Sequence, residues 1–299
     1  MTTPRFATCA ILLWLLLIGV CSAPGVPVQD TPLFKSDVKL VEIYATVFDH
    51  GGHPVAGLQR EQFEIRDNGA MQPIQVFESA DQPLTCALLL DTTGSMQEAI
   101  PALRNAAREF VGLLRPQDLV AVYSFSDHID ELADFTEDKT AARRALARLH
   151  AGGTTALFDS ISQLALKLER RPGKKVIVVL TDGGDNASVL NRESAARRAR
   201  KAGVPVFAVA EGAALKDDTA ANLLRELARA TGGHMYKAEH SKDIDKVFES
   251  IADDLQSGYL LAFHPVTEEK ANPWHELQIV VNHTAKPVTV RARTGYSSD

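Results

Sequence analysis

Residues 86–100 read CALLLDTTGSMQEAI, an apolar run that ends in an acid and three short hydroxyl residues. The apolar run predicts a buried strand that ends at Asp91, and a helical pattern begins near Gln97. Thr93 or Ser95 would be an ordinary N-terminal cap for that helix, because a short side-chain oxygen accepts hydrogen bonds from free backbone N–H groups. Capping accounts for this loop alone, so a further role for its oxygens depends on the rest of the chain.

Apolar strand patterns and amphipathic helix patterns alternate through residues 84–256. Three further segments are apolar enough for buried strands: DLVAVYSFSD (118–127), KKVIVVLTDGGD (174–185) and VPVFAVAEG (204–212). Strands that are apolar on both faces are typical of parallel sheets covered by helices on both sides. We therefore predict an α/β domain with a doubly wound, mostly parallel sheet.

Two segments with period-two patterning flank this domain. Residues 31–80 contain alternating strands and a tight hairpin turn at Asp67-Asn68-Gly69, and residues 258–299 contain three more strand patterns. Neither segment is long enough to bury a core alone. We expect them to pair into one β-sandwich-like unit with the α/β domain inserted between them. Two small independent flaps are the alternative.

Residues 1–25 have the pattern of a secretory signal peptide. Arg5 provides a positive flank, and residues 7–20 are an apolar run of about 14 residues, which is short for a membrane span. We expect export to the exterior, the periplasm or the cell envelope. The alternatives are an uncleaved membrane anchor, which would be the chain's one contact with a membrane, and lipidation at Cys21. The bulky Val20 before this cysteine disfavours lipidation.

Composition argues against several kinds of partner and bond. A net charge of −6 gives no reason to expect nucleic acid. The basic run at residues 197–201 lies in helical sequence, and we interpret it as a solvated helix face. Because Cys9 and Cys21 lie in the signal segment, Cys86 is the one cysteine left in the mature chain. Neither an intramolecular disulfide nor a cysteine zinc site is therefore expected, and Cys86 is interpreted as buried packing.

Oxygen-bearing side chains recur in three loops of the α/β segment. Asp91, Thr93 and Ser95 form the first set, Thr154 follows a glycine pair in the second, and Asp182 ends a buried strand in the third. Loops at the carboxyl ends of the strands of an open α/β sheet converge in one crevice. Carboxylates and hydroxyls are hard ligands, which suit Mg²⁺, or Mn²⁺ or Ca²⁺, better than zinc or copper. We predict that these five residues bind one divalent cation, with water or an outside group completing the shell.

The order Asp91-x-Thr93-x-Ser95, Thr154, Asp182 resembles the metal-ion-dependent adhesion site of von Willebrand factor type A domains. The resemblance covers about residues 84–256, and the flanking segments resemble those of secreted bacterial proteins related to this family. It implies a binding function in which Asp91, Thr93 and Ser95 contact the metal directly. Thr154 and Asp182 would contribute directly or through water, and an Asp or Glu carboxylate of a partner protein would fill the vacant position. The usual motif has a serine where this chain has Thr93, which keeps the hydroxyl and adds a methyl group.

An enzymatic function has less support in the sequence. The chain lacks a Gly-x-Ser-x-Gly nucleophile elbow, a Gly-x-x-x-x-Gly-Lys phosphate loop and a paired-histidine zinc motif. His128 ends a predicted buried strand, and a surface turn explains it. We therefore expect a non-enzymatic, adhesion-type binding module. The alternatives are a structural envelope protein whose metal ties the loops together and, with less support, a metal-dependent hydrolase.

Overall fold

The computed structural model describes residues 40–79, 82–182, 184–216, 218–240, 243–265 and 274–297. The predicted signal or anchor segment, residues 1–25, lies outside the described residues together with its two cysteines. Within the described ranges, no helix is both long enough and apolar enough to cross a membrane.

Four short strands come first along the described chain: β1 (Val41–Phe48), β2 (Phe63–Asp67), β3 (Ala70–Gln72) and β4 (Val76–Ser79). β2 and β3 form the predicted hairpin, in which Asp67 pairs with Ala70. Between them, Asn68 and Gly69 have φ angles of 48° and 83°. A two-residue hairpin turn of this kind needs positive φ at both positions, and Asn-Gly adopts it with little strain.

Strands then alternate with helices: β5 (Leu84–Asp91), α1 (Ile100–Leu113), β6 (Leu119–Phe125), β7 (Ile129–Thr136), α2 (Lys139–Ala145), α3 (Leu157–Glu169), β8 (Lys174–Thr181), α4 (Arg192–Lys201), β9 (Val206–Glu211), α5 (Ala213–Lys216), α6 (Asp218–Thr231), β10 (Met235–Ala238) and α7 (Ile244–Gln256). A 3₁₀ turn at Gly94–Glu98 precedes α1, so the regular helix begins at Ile100 and not near Gln97. The last strands are β11 (Tyr259–Phe263), β12 (Trp274–Val281), β13 (Thr289–Arg291) and β14 (Gly295–Ser297).

The alternating elements build one six-stranded sheet in the order β10-β9-β8-β5-β6-β7. All neighbouring strands in it are parallel except β6 and β7. Leu88 and Leu90 of β5 pack in a core with α1, α2 and α7, whereas Ala87 and Leu89 pack in a second core with α3, α4 and α6. The predicted doubly wound α/β fold is confirmed. Cys86 is buried in the same strand, and this burial raises the pKa of its thiol.

The flanking strands form two four-stranded antiparallel sheets, ordered β13-β1-β11-β4 and β14-β12-β2-β3. Each of these sheets contains strands from both ends of the chain. Ile43 of β1, Ile65 of β2, Phe263 of β11 and Leu277 of β12 lie in one buried cluster. The two sheets therefore share a core, and the flanks are not independent.

Side-chain contacts join the flanking sheets to the α/β domain, among them an ion pair and a cation–π contact. Nη1 of Arg291 in β13 lies 2.7 Å from Oδ2 of Asp254 in α7. The guanidinium of Arg200 in α4 stacks 4.3 Å from the ring centroid of Trp274 in β12. Arg200 belongs to the basic run that was expected on a solvated helix face. That expectation is wrong for this residue, because its planar guanidinium packs against an aromatic ring.

Candidate metal centre

The carboxyl ends of β5 and β8 lie side by side at one edge of the central sheet. Leu90 pairs in register with Leu180 in the parallel ladder. The next residues on each strand, Asp91 and Thr181, are consequently adjacent at the edge, and Asp182 directly follows. This is the edge at which open α/β sheets bind their ligands.

Asp91 is fully buried, with 0% of its surface exposed, and both oxygens of its carboxylate are fixed. The backbone N–H of Thr93 donates to Oδ1 at 2.9 Å. The hydroxyl of Thr181 donates to Oδ2 at 2.6 Å. These two hydrogen bonds hold the carboxylate in one orientation.

Two hydroxyls connect this loop to the second predicted acid. Oγ1 of Thr93 lies 3.0 Å from Oγ of Ser95, and the Ser95 hydroxyl donates to Oδ1 of Asp182 at 3.0 Å. Thr93 and Asp182 are buried, whereas Ser95 is exposed. The structure thus brings four of the five predicted residues, Asp91, Thr93, Ser95 and Asp182, into one hydrogen-bonded group that is open to solvent beside Ser95.

Thr154, the fifth predicted residue, lies on a neighbouring loop. The N–H of Gly152 donates to the carbonyl of Thr92 at 2.7 Å, and the N–H of Gly94 donates to the carbonyl of Gly153 at 3.3 Å. Gly153 has a φ of 83°, and a Cβ there would lie 2.8 Å from Oδ1 of Asp127. A glycine is therefore needed where this loop passes the turn of Ser126 and Asp127 that follows β6. Thr154 itself is exposed, and none of the described hydrogen bonds joins it to the other four residues.

The electrostatics of the site favour a cation. Burial raises the pKa of Asp91 because the charged form loses water, and the nearby Asp182 carboxylate raises it further. The hydrogen bonds from Thr181 and Thr93 lower it. Among the described ion pairs, none includes Asp91 or Asp182. Two buried acids without a basic partner in the described residues form a site that a positive ion would stabilise.

The donor set fits a hard cation and does not fit a softer one. The described residues contain no cluster of three or more His, Cys, Asp and Glu side chains suited to a metal. Two carboxylates and the hydroxyls of Thr93 and Ser95 are all oxygen donors, and a serine or threonine hydroxyl has lone pairs that can coordinate a cation. Mg²⁺ binds oxygen ligands of this kind and readily keeps water in its remaining positions.

Two residues near the site were missed in the sequence analysis. Thr181 orients Asp91, and its position directly before Asp182 at a strand end was the available signal. Glu211 is buried at the carboxyl end of β9. Its neighbour Gly212 approaches the site closely, since a Cβ there would lie 3.6 Å from Cβ of Asp182. This approach depends on the packing of β9 beside β8 and has no local sequence signal.

Comparison with known proteins agrees with the fold. A family model described as von Willebrand factor type A domain matches residues 86–250. A search of curated proteins gave no match. Among solved structures, von Willebrand factor type A from Catenulispora acidiphila is similar with a TM-score of 0.52 at 14% identity, covering 89% of this chain and 76% of that one.

Two further solved structures are similar to part of the chain. The D319A mutant of the PilB minor pilin from Streptococcus sanguinis has a TM-score of 0.51 at 15% identity, covering 62% of this chain and 63% of the pilin. Proximal thread matrix protein 1 from the mussel byssus has a TM-score of 0.52 at 19% identity, covering 62% of this chain and 49% of that one. At these identities the likeness shows the fold alone. The family match spans more than half of the chain, and the chain therefore belongs to the von Willebrand factor type A domain family.

Proposed function

We propose that this chain is a metal-dependent protein-binding module that works outside the cytoplasm, at the cell surface or in the envelope. The observation that carries the proposal is the hydrogen-bonded group that runs from Asp182 through Ser95 and Thr93 to Asp91. It places two buried carboxylates and two hydroxyls together at a solvent-facing edge of the sheet.

In this proposal Asp91, Thr93 and Ser95 hold Mg²⁺ directly, and Asp182 and Thr154 bind it directly or through water. Mn²⁺ and Ca²⁺ are the alternative ions. The bound cation would carry two positive charges, most of which the two carboxylates offset. Its unfilled coordination position still attracts one more anionic oxygen. Ser95 and Thr154 are exposed, which leaves this side open to an Asp or Glu carboxylate of a partner protein.

The surroundings support binding over catalysis. His128, in the turn between β6 and β7, is exposed and already paired, with Nδ1 3.1 Å from Asp127 and Nε2 3.2 Å from Asp130. It is therefore engaged on the surface turn and not in the hydrogen-bonded group. The family and the likeness to a minor pilin are consistent with an adhesion-type module outside the cell, at the level of the fold.

Calorimetric titration of the full chain with Mg²⁺ tests the metal. We expect one site in the wild type and no measurable binding to Asp91→Asn, which keeps the shape of the side chain and removes its charge. Asp130→Asn is the matched control, because it removes an exposed acid from the same edge of the sheet, and it should bind as the wild type does. Equal binding by Asp91→Asn and the wild type would exclude this site.

Crosslinking on cells that produce the chain tests the partner. We expect crosslinks to surface proteins in Mg²⁺ that disappear with a chelator and with Asp91→Asn. Crosslinks that persist, together with a lower melting temperature in chelator, would show that the ion only ties the loops together. Metal-dependent hydrolysis of a generic phosphoester would favour the hydrolase instead.

A further inference from the structure

One apolar side chain is highly exposed at the edge of the sheet that carries the candidate site. Val189 has 93% of its surface exposed, compared with 70% for Met71 and 50% for Leu166. Single exposed apolar residues are common on protein surfaces and need no special explanation. Val189 differs from such residues because hydrogen bonds hold its loop in place and because the loop lies beside the candidate metal centre.

The loop of residues 185–190, here called the Val189 loop, is fixed by two acids. The carboxylate of Asp159 in α3 accepts hydrogen bonds from the N–H groups of Val189 at 2.9 Å and Leu190 at 3.0 Å. The carboxylate of Asp185 accepts from the N–H of Phe158 at 2.9 Å and from that of Ser188 at 3.0 Å. The backbone on both sides of Val189 is thereby held in one conformation.

The Val189 loop is also fastened beside the candidate metal centre. The N–H groups of Asn186 and Ala187 both donate to the carbonyl of Thr155 at 3.0 Å. The N–H of Thr155 donates in return to Oδ1 of Asn186 at 2.9 Å. Thr155 directly follows Thr154, and the chain enters the loop from Asp182. One candidate ligand, Asp182, therefore precedes the loop in the chain, and another, Thr154, adjoins the residue to which the loop is hydrogen-bonded.

We infer that Val189 is a specificity-determining contact, against which a partner packs an apolar side chain that lies close to its metal-binding acid. This inference rests on the proposed function. Burying a valine against an apolar group stabilises a complex, and a loop that is already ordered loses little entropy on binding. The partner is accordingly a protein segment with an Asp or Glu and, within a few residues, an aliphatic or aromatic side chain. An isolated carboxylate would leave Val189 uncovered.

Selection from a random twelve-residue peptide library on phage tests the inference, with the full chain in Mg²⁺ and elution by chelator. We expect the eluted peptides to contain an acid with an aliphatic or aromatic residue within a few positions. A synthetic peptide of the enriched sequence should bind Val189→Ser about 10-fold more weakly than the wild type. Val189→Ile should bind it as the wild type does. Met71→Ser, which removes an exposed apolar residue from the flanking sheet, is the matched control and should have no effect.

The outcomes separate this inference from the proposed function. Wild-type affinity in Val189→Ser, with Mg²⁺ titration unchanged, would overturn the inference and leave the metal site in place. Enrichment of acids without apolar neighbours would also overturn it. A selection that yields no chelator-sensitive peptide would overturn the proposed function, and the role of Val189 with it.

Discussion

Thr93 combines two features at one position. Its hydroxyl lies 3.0 Å from that of Ser95, and its side chain is 2% exposed. The methyl group that distinguishes it from the serine of the usual motif is thus buried in the loop. The hydroxyl is the candidate metal donor, and the methyl group packs inside the loop. Substitution can therefore separate the two contributions.

Thr93→Val keeps the shape of the side chain and removes the hydroxyl. We expect its Mg²⁺ affinity to fall at least about tenfold, because one oxygen donor is lost from a site with few donors. Thr93→Ser is the control, which keeps the oxygen and should bind Mg²⁺ nearly as well as the wild type. Calorimetric titration of both variants measures this. Equal loss of affinity in both would show that packing by the methyl group is what matters.

His234 is a second residue whose surroundings determine its chemistry. Its ring packs edge-on against Tyr236 with the ring centroids 4.8 Å apart. Burial, with a smaller contribution from the nearby positive charge of Arg291, lowers the pKa of His234 to about 4. The imidazole therefore stays neutral in the folded protein at pH values where the unfolded chain is already protonated.

This difference predicts an acid sensitivity. A folded-state pKa below the unfolded value means that the unfolded chain binds the proton first, so stability falls as the pH drops from about 6.5 towards 4. Solvent screening of the partly exposed ring limits the effect at pH 5 to about 1 kcal/mol. Urea unfolding at pH 7 and pH 5 should show a smaller loss, by about this amount, in His234→Gln than in the wild type. The same pH dependence in both proteins would contradict the assignment.

At this scale the sequence indicated the grouping of Asp91, Thr93, Ser95 and Asp182, because each residue stands at the end of a recognisable strand or in the loop after it. The role of Thr181 had one signal, its position directly before Asp182, and was missed, whereas the exposure of Val189 had no local signal. Both depend on hydrogen bonds between segments that are far apart in the chain, 90 residues apart for Thr181 and Asp91.

Among the elements, α7 is joined to the flanking sheets by several side-chain contacts. Asp254 is 6% exposed and accepts hydrogen bonds from Arg291 of β13 and from the hydroxyl of Tyr236. The Arg291 guanidinium also lies 3.9 Å from the ring centroid of Phe48 in β1. Thr46 of β1 donates to the backbone carbonyls of both Asp254 and Ser257 at the end of the helix.

Removing Arg291 should therefore destabilise the protein. Arg291→Met leaves the buried carboxylate of Asp254 without its cation, and we expect the free energy of unfolding to fall by about 3 kcal/mol. Asp254→Asn removes the charge that needs this partner. In the double variant the loss should be smaller than the sum of the two single losses. Urea denaturation of all four proteins measures the coupling, and strictly additive losses would show that the two residues act independently.

Elements with local signals were predictable, and their junctions were not. The Asn68-Gly69 turn follows from two residues that tolerate positive φ. The stacking of Arg200 on Trp274 joins segments that only the folded chain brings together, so its basic run was interpreted as solvated. Periodicity identifies the buried face of a helix but does not identify the element that covers it.

The whole molecule is organised by strand pairing between its two ends. β1 lies between β13 and β11, and β2 lies between β12 and β3. The doubly wound sheet could be predicted because its strands are apolar on both faces. The sequence also indicated that the two flanking segments pair with each other, because neither is long enough to bury a core alone. Which strand pairs with which could not be predicted, because period-two patterns identify a strand without identifying its neighbours.

Removing residues 264–299 tests this interdependence. The truncated chain lacks β12, β13 and β14. β2 therefore loses its hydrogen-bonded neighbour β12, and β1 loses its neighbour β13. In hydrogen exchange we expect the amides of β2 to lose protection, while those of β5 and β8 inside the parallel sheet keep theirs. Unchanged protection of β2 would mean that the leading segment is stable by itself.

Diffraction from crystals of the full chain grown with Mn²⁺ tests the metal centre most directly, because the ion has its own anomalous signal. The account predicts one peak about 2 Å from oxygens of Asp91, Thr93 and Ser95, with Asp182 bound to the ion directly or through a water. No peak beside Asp91, with the ion found elsewhere or nowhere, would contradict it.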